Sequence, residues 1–217
     1  MSRSTDNNID TIIDGLRASY PEPRYELEWS TPVQMLVATI LAAQCTDERV
    51  NKVTETLFVS YPDAAAFAAV DREELEQAIK PTGFFRQKAK TLQAACSALC
   101  EHFGGEVPET LEELITLPGV ARKTAHVVLQ TCFDGPARGV IVDTHVRRMS
   151  QRLGLTKQKQ GDKVERDLMA VVPEDEWRFF GLAMVLYGRY ICTSKKPTCS
   201  TCALDPICPR NGVKDAV

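Results

Sequence analysis

The sequence has 217 residues, of which 44% are hydrophobic and 25% are charged, the composition of an ordinary folded globular protein. This excludes a disordered or fibrous chain, and no apolar run approaches the roughly 18 residues that a membrane span needs. The net charge of −3 does not exclude a nucleic-acid partner, because residues 1–80 carry a net −7 and residues 81–217 a net +4.

The chain begins with a polar segment, residues 1–8, that lacks the apolar stretch of a secretion signal. We therefore expect the protein to stay in the compartment where it is made, the cytoplasm. A core helix is predicted to start after Thr31, with Pro32 at its first position. The run 140–142 fits either a strand or the lead-in to a helix. Further helices of this all-α fold are predicted at 6–19, 48–60, 71–79, 86–103, 144–153, 162–172 and 175–191.

A short helix is predicted immediately before a tight turn. Thr110 and Glu113 have the spacing of a capping box at the start of this helix. Pro118 restricts the residue before it, so the helix is expected to end at about Leu117. Gly119 can adopt the positive φ that a reversal of the chain needs.

A second helix, from 121 to 132, follows this turn. We expect the backbone N–H groups near Val120 and Ala121 to point outward, unpaired, which makes the helix start an anion site. Lys123 lies in the first turn, where the helix dipole and Arg122 disfavour another positive charge. Its pKa should fall below the value of about 10.4 for a free lysine, which would make the amine a nucleophile. An exposed helix lysine without function is the alternative.

The segment from Val142 to His145 opens another predicted helix, with Asp143 as its N-cap. Most aspartates in this position only cap a helix. A carboxylate held by backbone N–H groups can also stabilise a developing oxocarbenium ion. Together with a nucleophilic Lys123 near a phosphate, it suggests attack at a sugar C1′ with loss of the base. His145 is interpreted as shaping this turn and not as a metal ligand.

Four cysteines are crowded into one segment of 17 residues near the C-terminus, with six, two and five residues between them: Cys192, Cys199, Cys202 and Cys208. This pattern predicts a metal site. Four thiolates suit either zinc or an iron–sulfur centre, and the spacing alone does not choose between them. Lys195 and Lys196 lie in the first loop, where they could press against a phosphate backbone.

Four more cysteines are scattered in predicted helices: Cys45, Cys96, Cys100 and Cys132. We interpret them as small buried hydrophobic residues, and a metal pair formed by Cys96 and Cys100 is disfavoured because no third ligand is apparent. These four scattered thiols suggest a reducing compartment, which makes disulfides in the C-terminal segment the weaker alternative. A basic surface is predicted beyond residue 140, although these residues also fit solvated helix faces: Arg147, Arg148, Arg152, Lys157, Lys159, Lys163 and Arg166.

The hairpin, the aspartate and the four cysteines, in this order and over nearly the whole chain, resemble the endonuclease III family, which consists of bifunctional DNA glycosylases and abasic-site lyases. In this resemblance Lys123 matches the Schiff-base lysine and Asp143 the catalytic aspartate. The cysteines match the ligands of a structural [4Fe–4S] cluster. The resemblance implies a six-helix barrel domain at 25–137, with the helix-hairpin-helix at about 109–132, and a cluster domain formed by 1–24 and 138–217.

Several residues near the expected DNA surface are compared with the family pattern. Gln44 matches the glutamine that fills the gap left by an extruded base, and Phe84 stands where the family usually has a leucine wedge. Ala121 replaces a second hairpin glycine, which is tolerable if this residue is already helical. His126 replaces a frequent asparagine on the same side of the helix as Lys123; it could tune the amine, but we favour a packing role for it.

The resemblance implies removal of oxidised pyrimidines, of the thymine glycol type, from duplex DNA and nicking of the abasic site by β-elimination. The expected partner is double-stranded DNA with such a lesion or an abasic site, bound by a monomer associated with the nucleoid. Adenine mismatch glycosylases are disfavoured because they usually lack the lysine and have a further C-terminal domain, whereas this chain has Lys123 and ends nine residues after Cys208. The same residues also fit a non-catalytic DNA-binding module or a zinc protein.

Overall fold

The computed structural model describes residues 6–214 and residue 216. Within this part of the chain there is no β-strand, so the all-α prediction is confirmed, and none of the helices is long and apolar enough to cross a membrane. The α-helices are α1 (Asp6–Ser19), α2 (Pro32–Leu41), α3 (Asp47–Ser60), α4 (Ala64–Ala69), α5 (Arg72–Ile79), α6 (Phe85–Phe103), α7 (Leu111–Leu114), α8 (Arg122–Cys132), α9 (Thr144–Arg152), α10 (Gly161–Met169) and α11 (Trp177–Tyr190).

Helix starts in the first half of the chain are set by the residue that precedes each helix. The Oγ1 atom of Thr31 accepts a hydrogen bond from the Gln34 N–H at the start of α2. Asp71 caps α5 in the same way, with Oδ1 accepting from the N–H groups of Glu73 and Glu74. Because such caps are local, the sequence predicts these helix starts to within one or two residues.

The chain divides into two compact units. The first, residues 25–135, is called the hairpin unit, and the second, residues up to 24 and from 136 onward, is called the cysteine unit. In the hairpin unit α2 packs against α3, α6 and α8, while α4 and α5 pack against α6. Nearly all residues of α2 are buried, which confirms its prediction as a core helix.

In the cysteine unit α11 packs against both α1 and α9. Gly188 of α11 permits the close approach of α9, because a Cβ atom at Gly188 would lie 2.8 Å from the Cβ of His145. The start of α9, where Asp143 lies, is therefore held against a buried helix. The core of this unit includes the fully buried side chains of Ile12, Leu16, Phe180 and Tyr187.

The sequence prediction misses one helix and misplaces the end of another. It does not include helix α4, because a sequence of five alanines and Phe67 has no apolar stripe; Asp63 caps this helix, and Phe67 is fully buried. Helix α7 ends at Leu114 and not at about Leu117. The N–H groups of Thr116 and Leu117 bond to carbonyls three residues back, so the chain tightens before Pro118.

The structure also decides the nature of residues 140–142 and of the scattered cysteines. Residues 140–142 form the lead-in to α9 and not a strand. Of the scattered cysteines only Cys96 is fully buried, and burial raises its pKa to about 12. Cys100 is exposed, so its interpretation as a buried hydrophobic residue is wrong.

Candidate active site

The hairpin turn depends on a glycine. Gly119 has a φ of +76°, and a Cβ atom at this position would lie 2.2 Å from Cγ2 of Thr91 on α6. The prediction of a positive φ is thus confirmed, and close packing adds a second reason for glycine. The N–H of Val120 donates to the carbonyl of Leu117 at 3.1 Å. The prediction that this N–H is unpaired is therefore wrong.

The second helix of the hairpin begins one residue later than expected. Ala121 is its N-cap, with an extended backbone (φ −84°, ψ 164°), so the expectation that Ala121 is already helical is wrong. A negative φ needs no glycine, which explains why alanine is tolerated here. No side chain caps this helix start. The positive end of α8 therefore remains suited to an anion.

Lys123 is the second residue of α8 and is half-buried. It follows the Gly119 turn directly, so its position is set by the hairpin. His126, three residues further along, is only 1% exposed and belongs to the buried face of α8. This agrees with a packing role for His126.

Gln44 and Phe84 share an unusual backbone conformation. Both are exposed, Phe84 to 65%, and both have positive φ angles, +54° for Gln44 and +49° for Phe84. Residues with a side chain adopt this region at a cost of about 1–2 kcal/mol. Gln44 follows the end of α2 and Phe84 precedes α6, so the two strained residues are held at the ends of packed helices.

Asp143 caps α9, which confirms its prediction as an N-cap. Its Oδ1 atom accepts hydrogen bonds from the N–H of His145 at 2.7 Å and from that of Val146 at 2.9 Å. Both bonds end on the same oxygen, so the cap does not engage Oδ2. Asp143 lies in the cysteine unit, whereas Lys123 lies in the hairpin unit.

Two arginines of α9 have a role that the sequence does not reveal. The guanidinium of Arg148 donates to the carbonyls of Gly188 (2.6 Å) and Cys192 (3.0 Å). Arg152, which is 7% exposed, donates to the carbonyls of Thr193 (2.7 Å) and Ser194 (3.0 Å). The same helix that carries Asp143 thus holds the beginning of the cysteine segment.

The prediction of a basic surface is therefore wrong for Arg148 and Arg152. Burial lowers the pKa of Arg148, and the nearby Arg152 lowers it further, while Cys192 and Asp143 act in the opposite direction. Arg148 and Arg152 are four residues apart, which places them one turn apart on the same face of α9. This spacing could have predicted that both contact the same segment. The remaining members of the predicted basic surface are exposed: Arg147, Lys157, Lys159, Lys163 and Arg166.

The four cysteines of the C-terminal segment lie within electrostatic range of one another. Burial raises the pKa of Cys199 and Cys208. Arg210 opposes this change, through its charge at Cys199 and its backbone N–H at Cys208, while Coulomb interaction with other thiols of the segment again raises both pKa values. Between residues 6 and 214, no group of three or more His, Cys, Asp or Glu side chains could hold a metal ion. Four cysteine thiolates are the donor set that a [4Fe–4S] cluster takes, so these four residues would be its ligands if such a cluster were bound.

Hydrogen-bonding groups lie close to three of the four sulfurs of this segment. Arg152 Nη1 lies 3.2 Å from Cys192 Sγ, and the Tyr187 hydroxyl lies 3.2 Å from Cys202 Sγ. The Arg210 N–H donates to Cys208 Sγ at 3.4 Å. Hydrogen-bonding groups at three of the four thiols fit a thiolate-bound cluster, whose properties depend in part on hydrogen bonds to its sulfurs.

The predicted phosphate-binding lysines are accessible. Lys195 and Lys196 are exposed and, with Lys214, line an open groove of about 370 Å³. The buried Arg152 forms part of the same groove. The loop thus presents two ammonium groups and Lys214 adds a third to the groove, while Arg152 of α9 holds the start of the loop.

The chain is similar to known proteins over most of its length. Residues 37–174 match the model of the HhH-GPD superfamily of base excision DNA repair proteins. Endonuclease III of Synechocystis sp. is 56% identical over 194 residues, which cover 89% of this chain and 88% of that protein. A non-covalent endonuclease III–DNA complex superimposes with a TM-score of 0.90 at 40% identity, covering 95% of this chain and 96% of the other. A trapped endonuclease III–DNA covalent intermediate, the estranged-adenine complex, has the same TM-score and identity, covering 95% and 97%.

The packing of Gly119 gives a test of the hairpin. In a Gly119→Ala variant the positive φ should cost about 1–2 kcal/mol of the free energy of unfolding. The contact with Thr91 should add to this loss. Adding Thr91→Ser, which removes the clashing Cγ2 methyl, should recover the steric part alone. Urea unfolding followed by circular dichroism measures both effects.

Gly161→Ala serves as the matched control and should be as stable as the wild type or slightly more so, because the φ of Gly161 is not positive and a Cβ atom there would meet nothing within 4 Å. The account of the turn would be wrong if Gly119→Ala were as stable as the wild type.

Proposed function

Because the chain belongs to the endonuclease III family of helix-hairpin-helix base excision repair glycosylases, we propose that it removes oxidised pyrimidines of the thymine glycol type from duplex DNA and then cleaves the abasic site as a lyase. The observation that carries this proposal is the position of Lys123. Its amine lies in the first turn of α8, directly after the Gly119 turn, where a bound phosphate would bring a sugar close to it. The trapped covalent complex of a similar endonuclease III supports a covalent route.

In the proposed reaction the Lys123 amine attacks C1′ of the damaged nucleotide. The bond between C1′ and the base breaks, and the base leaves with the bonding electrons and takes up a proton, while the amine loses one. The Asp143 carboxylate stabilises the positive charge that develops on the sugar. The sugar ring then opens to a Schiff base, which permits loss of a C2′ proton and departure of the 3′ phosphate. The strand is thus nicked on the 3′ side of the lesion.

The damaged base must leave the helical stack before this attack, since C1′ is inaccessible within it. We propose that Gln44 fills the resulting gap and that Phe84 acts as a wedge. Their exposure and their positive φ angles support these roles, because strained exposed residues are concentrated at functional sites. An aromatic wedge can also stack on a base.

Two groups of residues are proposed to hold the DNA backbone. The first is the hairpin, in which Gly119 and Ala121 precede the positive end of α8 and Val120 packs inward. The second is the groove with Lys195 and Lys196, whose charges would neutralise phosphates. We propose that the hairpin unit is the six-helix barrel domain and the cysteine unit the cluster domain. The enzyme would act as a monomer on chromosomal DNA in the cytoplasm.

We propose that a [4Fe–4S] cluster is held by the four cysteines of the C-terminal segment: Cys192, Cys199, Cys202 and Cys208. The donors directed at three of the four sulfurs support this assignment. The cluster would be structural and would shape the loop that carries Lys195 and Lys196. No step of the base excision requires it.

Borohydride trapping tests the proposed function. A duplex with one thymine glycol and a second duplex with one abasic site are each incubated with the protein and borohydride, which reduces a Schiff base to a stable adduct. We expect the wild type to give a covalent adduct with both duplexes and Lys123→Ala to give none. Lys90→Ala, which removes an exposed lysine of α6, is the matched control and should trap like the wild type.

The other possible outcomes of borohydride trapping would each contradict a different part of the proposal. An adduct with Lys123→Ala would assign the amine to another residue. Trapping of the abasic site alone would reject the proposed substrate and retain the lyase. No adduct with the wild type on either duplex would contradict the bifunctional mechanism.

Asp143→Asn separates the charge of the carboxylate from its cap. The asparagine oxygen can accept the same two N–H groups, so the thermal midpoint should stay within a few degrees of the wild type. Loss of the charge should lower the single-turnover rate of base excision by about 10²- to 10³-fold. Asp71→Asn changes a cap of the same geometry at α5 and should leave that rate unchanged. Equal rates for Asp143→Asn and the wild type would reject the catalytic role.

Iron analysis tests the cluster. The purified protein should be brown and contain about four iron atoms per chain, as a [4Fe–4S] cluster requires. Cys199→Ser should lose most of this iron and the visible absorption, whereas Cys100→Ser, which changes an exposed thiol outside the segment, should keep both. A colourless protein that contains zinc would reject the assignment.

A further inference from the structure

Lys88 is the most deeply buried lysine between residues 6 and 214, with 5% of its surface exposed. It lies on the apolar face of α6, in line with the buried Leu92 and Leu99. Its Nζ atom donates to two main-chain carbonyls, those of Leu41 and Thr82, each at 2.8 Å. Lysines are almost never fully buried unless they are paired, and here the partners are backbone groups.

The two carbonyls belong to the segments that lead to Gln44 and Phe84, two of the three exposed non-glycine residues with positive φ between residues 6 and 214. Leu41 is the last residue of α2, three residues before Gln44. Thr82 ends a short 3₁₀-helix, Lys80–Thr82, two residues before Phe84. A single side chain therefore joins the chain just before Gln44 to the chain just before Phe84.

The surroundings of Lys88 restrict both segments further. Thr82 is itself buried, and its hydroxyl donates to the carbonyl of Ile79 at 2.8 Å. The backbone N–H of Lys88 donates to the carbonyl of Phe84 at 3.0 Å. Lys88 thus holds the Phe84 segment through its main chain as well as through its side chain.

The two hydrogen bonds from Lys88 to Leu41 and Thr82, here called the Lys88 bridge, do not require the ammonium form of the side chain. Burial lowers the pKa of Lys88, and Coulomb interaction with Cys45 opposes this change. A neutral amine retains two N–H donors, which equals the number of carbonyls that it meets. The link between the two segments is therefore available in either protonation state.

We propose that Lys88 is a positioning residue that fixes the separation of Gln44 and Phe84 and thereby controls extrusion of the damaged base. This rests on the proposed function, in which Gln44 and Phe84 enter the duplex. Lys88 acts through these two residues and takes no part in the attack at C1′. Its loss slows extrusion and leaves the reaction of the Lys123 amine with an exposed sugar unchanged.

The test compares the wild type with Lys88→Met, which keeps the length of the side chain and removes its donors. Extrusion is followed by the fluorescence of 2-aminopurine placed beside a thymine glycol in duplex DNA, because this base brightens when it is unstacked. The rate of the fluorescence rise and the single-turnover excision rate should both fall by about 10- to 100-fold, the loss that a displacement of about 1 Å produces. Lys90→Met, the exposed lysine of the same helix, should match the wild type.

The chemical step is measured separately on a single-stranded oligonucleotide with an abasic site, which needs no extrusion. Borohydride trapping on this substrate should proceed at the wild-type rate in Lys88→Met. Equal losses on the single-stranded and duplex substrates would overturn the positioning role, because they would indicate a general defect of the enzyme.

A double-mutant cycle tests whether Lys88 acts through the two exposed residues. In a Gln44→Ala/Phe84→Ala background, Lys88→Met should change the excision rate by less than about twofold, because nothing remains for the bridge to position. A loss as large as in the wild-type background would overturn the inference.

Folding of the variants is checked by circular dichroism. Should Lys88→Met fail to fold, Lys88→Gln carries the test, since its amide leaves a donor in the buried site and is too short to reach both carbonyls. If the wild type neither excises nor traps, the proposed function fails and the role of Lys88 falls with it. If the wild type is active and the Lys88 variants extrude the base at its rate, only the role of Lys88 is rejected.

Discussion

Two basic side chains, the buried Lys88 and the half-buried Arg148, donate hydrogen bonds to carbonyl groups at the carboxyl ends of two packed helices. Lys88 donates to Leu41 at the end of α2, and Arg148 donates to Gly188 in the last turn of α11. A buried carbonyl without a donor costs about 1–3 kcal/mol, so these contacts matter to the fold. The carboxyl end of a helix is also the negative end of its dipole, where a cation is favoured.

Each of these helix ends is the point where a functional segment leaves the core. The chain beyond α2 reaches Gln44 within three residues, and the chain beyond α11 reaches Cys192 within two. Holding the helix end therefore also fixes the first residues of the segment. The segment itself can remain exposed, as Gln44 and Lys195 are, while its starting point is fixed by buried hydrogen bonds. Precise placement and accessibility to DNA are thus compatible.

The parts of this arrangement that could be predicted are those that depend on neighbours in sequence. The cap at Asp143, the positive φ of Gly119 and the spacing of the four cysteines all follow from a few adjacent residues. Lys88 is different, because its partners lie 47 and 6 residues away and only the packing of α6 brings them together. Its position on the apolar stripe of α6 signalled burial but could not identify the carbonyls. The same limit explains why the prediction of a basic surface is wrong for Arg148 and Arg152. Their charge can be read from the sequence, but their contacts with the cysteine segment cannot.

In the proposed enzyme, residues at the amino ends of helices and residues at the carboxyl ends have different roles. The residues proposed for chemistry lie at amino ends: Lys123 in the first turn of α8 and Asp143 at the cap of α9. There the helix dipole favours a phosphate and a carboxylate. The residues that position the exposed segments act at carboxyl ends, where basic side chains complement the carbonyls. Substitutions of the residues at the amino ends should therefore change the rate of bond cleavage. Substitutions of the residues at the carboxyl ends should change the rate of the steps before cleavage, such as extrusion of the damaged base.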